Sequence, residues 1–320
     1  MSRLLVIFLV FCSIFVSCES TSKTEQTIST IEIDFVVERF DQAFANASPS
    51  DLPQLKETYP FMFSKRFNDS VWINRMQNTI NLRLGKEVNS VHGEFGASEV
   101  ELKELFQHLK HYYKEFKTPR VITVTNYVDY RNRTIVTDSI VLIALDNYLG
   151  SGHEFYENIH QYVAKNLVPD QIVPDLADQY ANKYIYQAKR KTLLDEMIYY
   201  GKVHYFKDIM LPSFSDERKI GYSNDELNWA LANEESIWQY FIERELLFST
   251  NSKLPGRFIN PAPFTKFNLE LDAESPGRLG QYLGWQIVRA YANNNSVTLQ
   301  DILTLDAETL FNNSKFKPRK

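Results

Sequence analysis

Apolar residues recur every three or four positions along most of the chain, a pattern typical of helices that bury one face. The first such stretch begins at Ile33 and continues through Phe40 and Phe44. A later one opens with Ser275 and Pro276, in the order favoured at a helix N-terminus. Further helices are predicted over residues 70–84 with Gly85 as the stop, over 98–116, and over 228–247.

The middle of the chain has a different pattern, in which β-branched residues run together. Residues 121–125, 135–137 and 140–145 are of this kind, and Asn132 and Arg133 predict a turn before the second run. Helical patterns resume after Gly150. The predicted fold class is therefore helix-dominated α+β, with a small mixed sheet packed by helices. Residues 31–320 show no second linker or fixed repeat, which favours one globular domain.

Two glycines stand four residues apart in the last long helical stretch. Glycine inside a helix costs about 1 kcal/mol relative to alanine, so Gly280 and Gly284 need a compensating contact. Close approach of another backbone is the usual one, and a lined cleft is the alternative.

The N-terminus has the layout of an export signal. Arg3 precedes an apolar run over about residues 4–16, and Ser17 separates this run from Cys18. The run is too short to span a membrane, which needs about 20 apolar residues. We therefore expect residues 1–17 to be a lipoprotein signal peptide, Cys18 to carry lipid such as palmitate, and residues 18–30 to form a flexible polar tether. An ordinary cleaved signal is the alternative.

Charge and cysteine content restrict the chemistry. The net charge is −5 and the pI is about 5.8, which argues against a nucleic-acid partner. Cleavage would remove Cys12 and leave only Cys18, so no disulfide or cysteine nucleophile is expected. We find no phosphate-binding glycine loop or other cofactor motif, and we expect no cofactor. His153 and His160 could share a helix face and, with a distant carboxylate, form a metal site, whereas His108 and His111, three apart on a predicted helix, lack the third ligand that zinc needs.

Three segments carry a family resemblance. Residues 277–291, 144–150 and 233–238, together with the lipid-attachment pattern, resemble the GldB-type gliding-motility lipoproteins of Bacteroidota. The resemblance covers most of the chain beyond the signal. It implies a lipid-anchored protein of the cell envelope that faces the periplasm. As the site of the anchor, the outer membrane is favoured over the inner membrane. The resemblance also implies partners among the cell-envelope gliding or secretion proteins.

These lipoproteins are in turn similar to zincin-like peptidase domains. In that comparison residues 180–184 stand where the zinc helix would be, with Tyr180 and Tyr184 in place of both histidines and Ala181 in place of the catalytic glutamate. Tyr200 replaces a further glutamate. A phenol that ionises near pH 10 is a poor zinc ligand, and alanine cannot act as a general base. The resemblance thus implies a degenerate zincin-like domain without catalytic or metal-binding residues.

The resulting hypothesis is a catalytically inactive scaffold or partner-binding lipoprotein needed for gliding. A retained cleft could hold an extended segment of a partner along an edge strand. The candidate lining residues are Tyr148, Tyr180, Tyr184, Tyr200, Tyr282 and Trp285. An aromatic core would explain the same residues. An active zinc metallopeptidase with an unrecognised site, and a small-molecule or glycan-binding lipoprotein, are the alternative functions.

Overall fold

The computed structural model describes residues 23–186, 189, 191–269 and 272–320. Cys18 and the predicted signal peptide, residues 1–17, lie outside the described residues. Helices make up most of the described chain. They are α1 (Lys23–Ser29), α2 (Phe40–Ala45), α3 (Leu52–Thr58), α4 (Asp69–Gln77), α5 (Thr79–His92), α6 (Gly96–Tyr112), α7 (Gln161–Ala164), α8 (Ile172–Tyr184), α9 (Leu193–Met210), α10 (Asp216–Ile220), α11 (Asn224–Ala232), α12 (Glu234–Glu243), α13 (Leu254–Phe258), α14 (Leu279–Asn294), α15 (Leu299–Thr304) and α16 (Ala307–Ser314).

One four-stranded mixed sheet accompanies the helices, which confirms the predicted fold class. Its strands are β1 (Val37–Glu38), β2 (Arg120–Val124), β3 (Thr134–Val136) and β4 (Ile140–Ala144). The spatial order is β1-β2-β4-β3, in which β2 pairs in parallel with β1 and β4, and β3 pairs antiparallel with β4. The three longer strands are those that the β-branched runs predict. The two-residue β1 falls where a helix from Ile33 was predicted.

The sheet separates two hydrophobic cores. Alternate strand residues point to opposite faces, so Val121 and Val141 face one core while Ile122 and Ala144 face the other. The first core is closed by α6, α8 and the second half of α9. The second is closed by α2, α3 and α4, with Trp72 among its buried residues.

A third core lies among the C-terminal helices. It joins the first half of α9 to α12, α13 and α14, with Phe241, Phe258 and Trp285 fully buried within it. Helix α9 therefore belongs to two cores, its residues 193–198 packing in the third and its residues 203–210 in the first. This shared helix ties the sheet-containing half of the domain to the helical half.

The crossing of α9 and α14 depends on glycine. A Cβ on Gly284 would lie 1.8 Å from the carbonyl oxygen of Met197, and one on Gly201 would lie 2.3 Å from the carbonyl oxygen of Gly284. At Gly280 a Cβ would lie 2.8 Å from the carbonyl oxygen of Phe258. The predicted close backbone approach at Gly280 and Gly284 is confirmed.

Several predicted helix boundaries are wrong: the helix predicted over 70–84 is divided at Asn78, and that predicted over 98–116 spans Gly96–Tyr112. Three further differences have a local reason. Gly85 lies inside α5 rather than ending it, because its missing side chain makes room for the Cβ of Ala45. The helix predicted over 228–247 is interrupted at Asn233, whose side chain donates to the carbonyl of Trp229 and so competes with the helix. The last long helix begins at Leu279, since Arg278 before it has left-handed backbone angles.

The segment predicted as a flexible tether is partly helical. Lys23–Ser29 form α1, and Ile28 within it is only 1% exposed. Gln107 of α6 donates to the carbonyls of Ser29 and Ile31, at 3.1 and 2.8 Å. One buried apolar side chain and these polar contacts order a stretch whose composition alone predicts disorder. Only residues 18–22 of the predicted tether fall before the helix, and they lie outside the described residues.

No helix within the described ranges combines the length and apolar character that a membrane crossing requires.

Candidate functional site

Four of the six aromatic residues predicted to line a cleft are core residues, and Tyr180, at 2% exposed, is one of them. Tyr148, Tyr282 and Trp285 are fully buried. Each donates a hydrogen bond to a carboxylate: Tyr148 to Asp175 at 2.8 Å, Tyr282 to Glu234 at 2.7 Å, and Trp285 to Asp208 at 2.8 Å. Their polar ends are thus satisfied inside the protein. The structure does not bring the six residues together in one cleft.

Tyr180 and Tyr184 do line a common depression, which we call the aromatic groove. Its volume is about 470 Å³. The ring of Tyr184 stacks on that of Tyr113, with the centroids 3.7 Å apart. The groove is lined by residues 112–117, Thr137, Asp138, Tyr180, Lys183, Tyr184 and Gln300.

Two phenol groups of the groove lack hydrogen-bond partners. The hydroxyls of Tyr113 and Tyr180 are buried, and neither has a partner within the described part of the chain. Burial raises the pKa of both tyrosines well above the ordinary value. Both therefore remain neutral at physiological pH, when a phenol can donate and accept hydrogen bonds but is a poor ligand for zinc.

The aromatic groove begins where the edge strand β3 ends. Thr137 pairs with Ile140, and the N–H of Ala144 donates to the carbonyl of Arg133. Hydrogen-bonded pairs alternate in an antiparallel ladder, so Thr134 and Val136 direct their backbone groups away from β4. No strand in the described residues lies on that side of β3. That side of β3 therefore lacks a strand partner within the described ranges, although Thr134 is buried there at 5% exposed, and only the half-buried Val136, next to the groove, has a backbone that another segment could reach.

A second site, which we call the polar cavity, lies between α8, α9 and the start of α14. Its volume is about 260 Å³. Tyr200, the remaining predicted site residue that lines a pocket, lies here and not in the aromatic groove. Its other lining residues include Arg133, Asn166, Gln171, Asp175, Asp178, Asn182, His204, Lys207, Lys219, Arg278 and Gln281.

Ion pairs occupy both carboxylates of the polar cavity. Arg133 binds Asp175 through two nitrogens, at 2.5 and 2.6 Å. Lys207 lies 2.6 Å from Asp178. Burial raises the pKa of Asp178, while the charge of Lys207 opposes that rise. A carboxylate that is paired with a cation is stabilised in its charged form, and it is not free to act as a general base.

A smaller pocket adjoins the polar cavity. It shares Arg133, Asn166, Pro261 and Arg278 with the cavity and has a volume of about 170 Å³. Three tyrosines, Tyr130, Tyr162 and Tyr222, are among its lining residues.

The histidines considered for metal binding have other contacts. Nδ1 of His153 accepts from the N–H of Phe155, and its Nε2 lies 3.7 Å from Glu87. The ring of His160 stacks on Tyr162. Across the described ranges, no three histidine, cysteine or acidic side chains are grouped so that they could hold a metal ion.

The polar cavity is not predicted from the sequence, because its residues come from six separate segments. A signal was nevertheless present in two of them. Asp175, Asp178 and Asn182 form a polar stripe on α8, and His204 and Lys207 stand three apart on the buried second half of α9. Polar positions on the buried faces of two helices are the pattern that predicts an internal polar site.

The fold and these two sites define a helix-dominated α+β domain with an open sheet edge and an internal polar cavity. The sequence model of one family, described as gliding motility protein GldB and named as a lipoprotein family, matches residues 21–318. The chain therefore belongs to the family of gliding motility protein GldB. No curated protein and no solved structure matches the chain. The resemblance to zincin-like peptidases gains no support from these comparisons.

Proposed function

We propose that this chain acts in gliding motility as a catalytically inactive lipoprotein that binds an extended segment of a cell-envelope partner along β3 and the aromatic groove. The observation that carries the proposal is the edge of β3 at Val136, which has no strand partner in the described residues and lies beside two unpartnered phenols. The family match supports the link to gliding.

The groove suits an extended segment for a physical reason. A segment added at this end of β3 would pair with the outward backbone groups of Val136, which gives affinity without regard to sequence. Its side chains would then reach the stacked rings of Tyr113 and Tyr184, which give selectivity for apolar or aromatic residues.

Catalytic inactivity is supported by the chemistry of the polar cavity. A general base needs an unpaired group with a pKa near the working pH. Asp175 is instead held by Arg133 and by the hydroxyl of Tyr148, and Asp178 is held by Lys207. The degenerate zincin-like character stays a prediction from the resemblance.

The last part of the proposal concerns the lipid anchor. Cys18 would carry lipid and hold the domain at the periplasmic face of the cell envelope, on the outer membrane. Helix α1 packs on the domain from Lys23 onward, so few residues would separate the lipid from the folded protein.

The binding site can be tested by measuring gliding in a deletion strain that expresses variants of the chain. Val136→Pro removes an N–H that faces away from β4, so the ladder with β4 keeps its hydrogen bonds. We expect this variant to be folded and present at normal level but defective in gliding. Val136→Thr, a matched control that keeps the N–H, should glide normally. Normal gliding of Val136→Pro would refute the proposed edge pairing.

Metal analysis and proteolysis assays test inactivity. The purified protein should contain less than stoichiometric zinc and should not cleave peptides. Stoichiometric zinc with chelator-sensitive proteolysis would instead establish the metallopeptidase alternative.

A further inference from the structure

One cation of the polar cavity lacks a carboxylate. Among the described residues, Arg278 forms no ion pair, although it lines both the cavity and the adjoining pocket. The other lining cations are paired: Arg133 with Asp175, Lys207 with Asp178, Lys165 with Glu226 and Lys219 with Asp208. The site therefore carries one excess positive charge that an anionic group could neutralise.

The backbone of Arg278 is held in an unusual conformation. Its φ is 63° and its ψ is 26°, in the left-handed region that side chains other than Asn and Asp rarely adopt. Such strain often persists where it serves a site. The guanidinium donates to the carbonyl of Gly221 at 3.1 Å and lies over the ring of Tyr222. Since it has five N–H groups, donors remain for a bidentate contact with an oxyanion.

A second feature of the cavity is an unsatisfied acceptor on His204. The side-chain amide of Gln281 donates to the carbonyl of Ile259 at 2.7 Å, which turns its oxygen toward Nε2 of His204 at 3.2 Å. Nε2 therefore carries the proton, and Nδ1 is a bare acceptor.

The environment of His204 keeps that acceptor neutral and buried. His204 is 3% exposed, and its Nδ1 has no partner within the described chain. Burial, reinforced by the charge of Lys207, lowers its pKa well below the ordinary value. A buried neutral acceptor is matched by a hydroxyl or amine donor on a ligand.

We propose that the polar cavity binds a small polyhydroxy acid, whose acidic group pairs with Arg278 and one of whose hydroxyls donates to His204. The cavity volume of about 260 Å³ lies just below the range of drug-sized sites, about 300–1,000 Å³, and suits a single sugar ring. Tyr130, Tyr162 and Tyr222 line the adjoining pocket. The acid is a carboxylate or a phosphate monoester, since a guanidinium binds both.

Isothermal titration calorimetry of the full-length protein in mild detergent tests the proposal. The probes are D-glucuronate, glucose 6-phosphate and D-glucose. At least one acid should bind about 10- to 100-fold more tightly than glucose, the ratio expected for a charged hydrogen bond. Which acid binds distinguishes a carboxylate ligand from a phosphate ligand. Binding of neither acid, or equal binding of glucose, would overturn the proposal.

Two variants keep the test independent of folding. Arg278→Asn removes the cation but tolerates the left-handed backbone, and Arg278→Gly does so as well. Both should lose the preference for the acid while keeping a Tm at or above that of the wild type. Arg244→Asn, which changes an exposed arginine outside the cavity, should keep the preference. An unchanged acid preference in a folded Arg278 variant would refute the assignment. The outcome leaves the aromatic-groove proposal untouched, because the two sites share no residue.

Discussion

Replacing Gly284 by alanine should destabilise the protein even though alanine is the better helix former. The added Cβ would lie 1.8 Å from the carbonyl oxygen of Met197, whereas real Cβ atoms essentially never come within 3.0 Å of a neighbour. The helices α9 and α14 must therefore separate locally by about 1.2 Å, the difference between these two distances. The obstacle is backbone rather than a mobile side chain, so it cannot rotate away.

The expected size follows from two opposing effects. Alanine gains about 1 kcal/mol from helix propensity. Overpacking costs about 1–3 kcal/mol and occasionally more, and a backbone clash at the most heavily packed helix pair belongs at the upper end. We therefore expect a net loss of about 2 kcal/mol or more in the free energy of unfolding.

Urea unfolding followed by circular dichroism measures the effect. Gly256→Ala in α13 is the matched control, because nothing lies within 4 Å of its added Cβ. That variant should be as stable as the wild type or more stable by up to about 1 kcal/mol. If Gly284→Ala were as stable as the control, the close crossing of α9 and α14 would be wrong.

Two further predictions concern a buried lysine and the anchor. Burial lowers the pKa of Lys202 to about 8 from its ordinary 10.5. The unfolded chain therefore binds this proton more tightly, and stability should rise by about 1 kcal/mol between pH 7 and pH 9. Lys202→Met should remove that rise in urea titrations at the two pH values, and an equal rise in both proteins would contradict the assignment. Cys18→Ser should abolish acyl labelling and release the protein from membrane fractions. A labelled variant that still sediments with membranes would show that Cys18 is not the anchor.

The sequence predicts the parts of the fold that depend on local pattern. The β-branched runs locate β2, β3 and β4, because strand propensity and alternation are encoded in consecutive residues. The glycines at 280 and 284 indicate a close backbone contact, because their cost in a helix requires one. Neither signal names the partner helix, which the structure identifies as α9 for Gly284 and α13 for Gly280.

Features that depend on distant residues are not predicted. Strand β1 has two residues and exists only because β2 pairs with it across more than 80 positions. Tyr148, Tyr282 and Trp285 were candidates for a cleft, yet their polar ends bind carboxylates inside the cores. Aromatic composition does not distinguish a lined groove from a core, because both bury rings.

Photocrosslinking from Ile135 in intact gliding cells tests the proposed partner binding most directly. Ile135 lies on β3 and is 42% exposed, so a crosslinking residue there would contact a segment added to the strand. We predict a discrete adduct that disappears when Val136→Pro is introduced into the same chain. Val100 on α6, which is 71% exposed, is the control position and should give no such adduct. No adduct above the control, or an adduct that persists with Val136→Pro, would contradict the account.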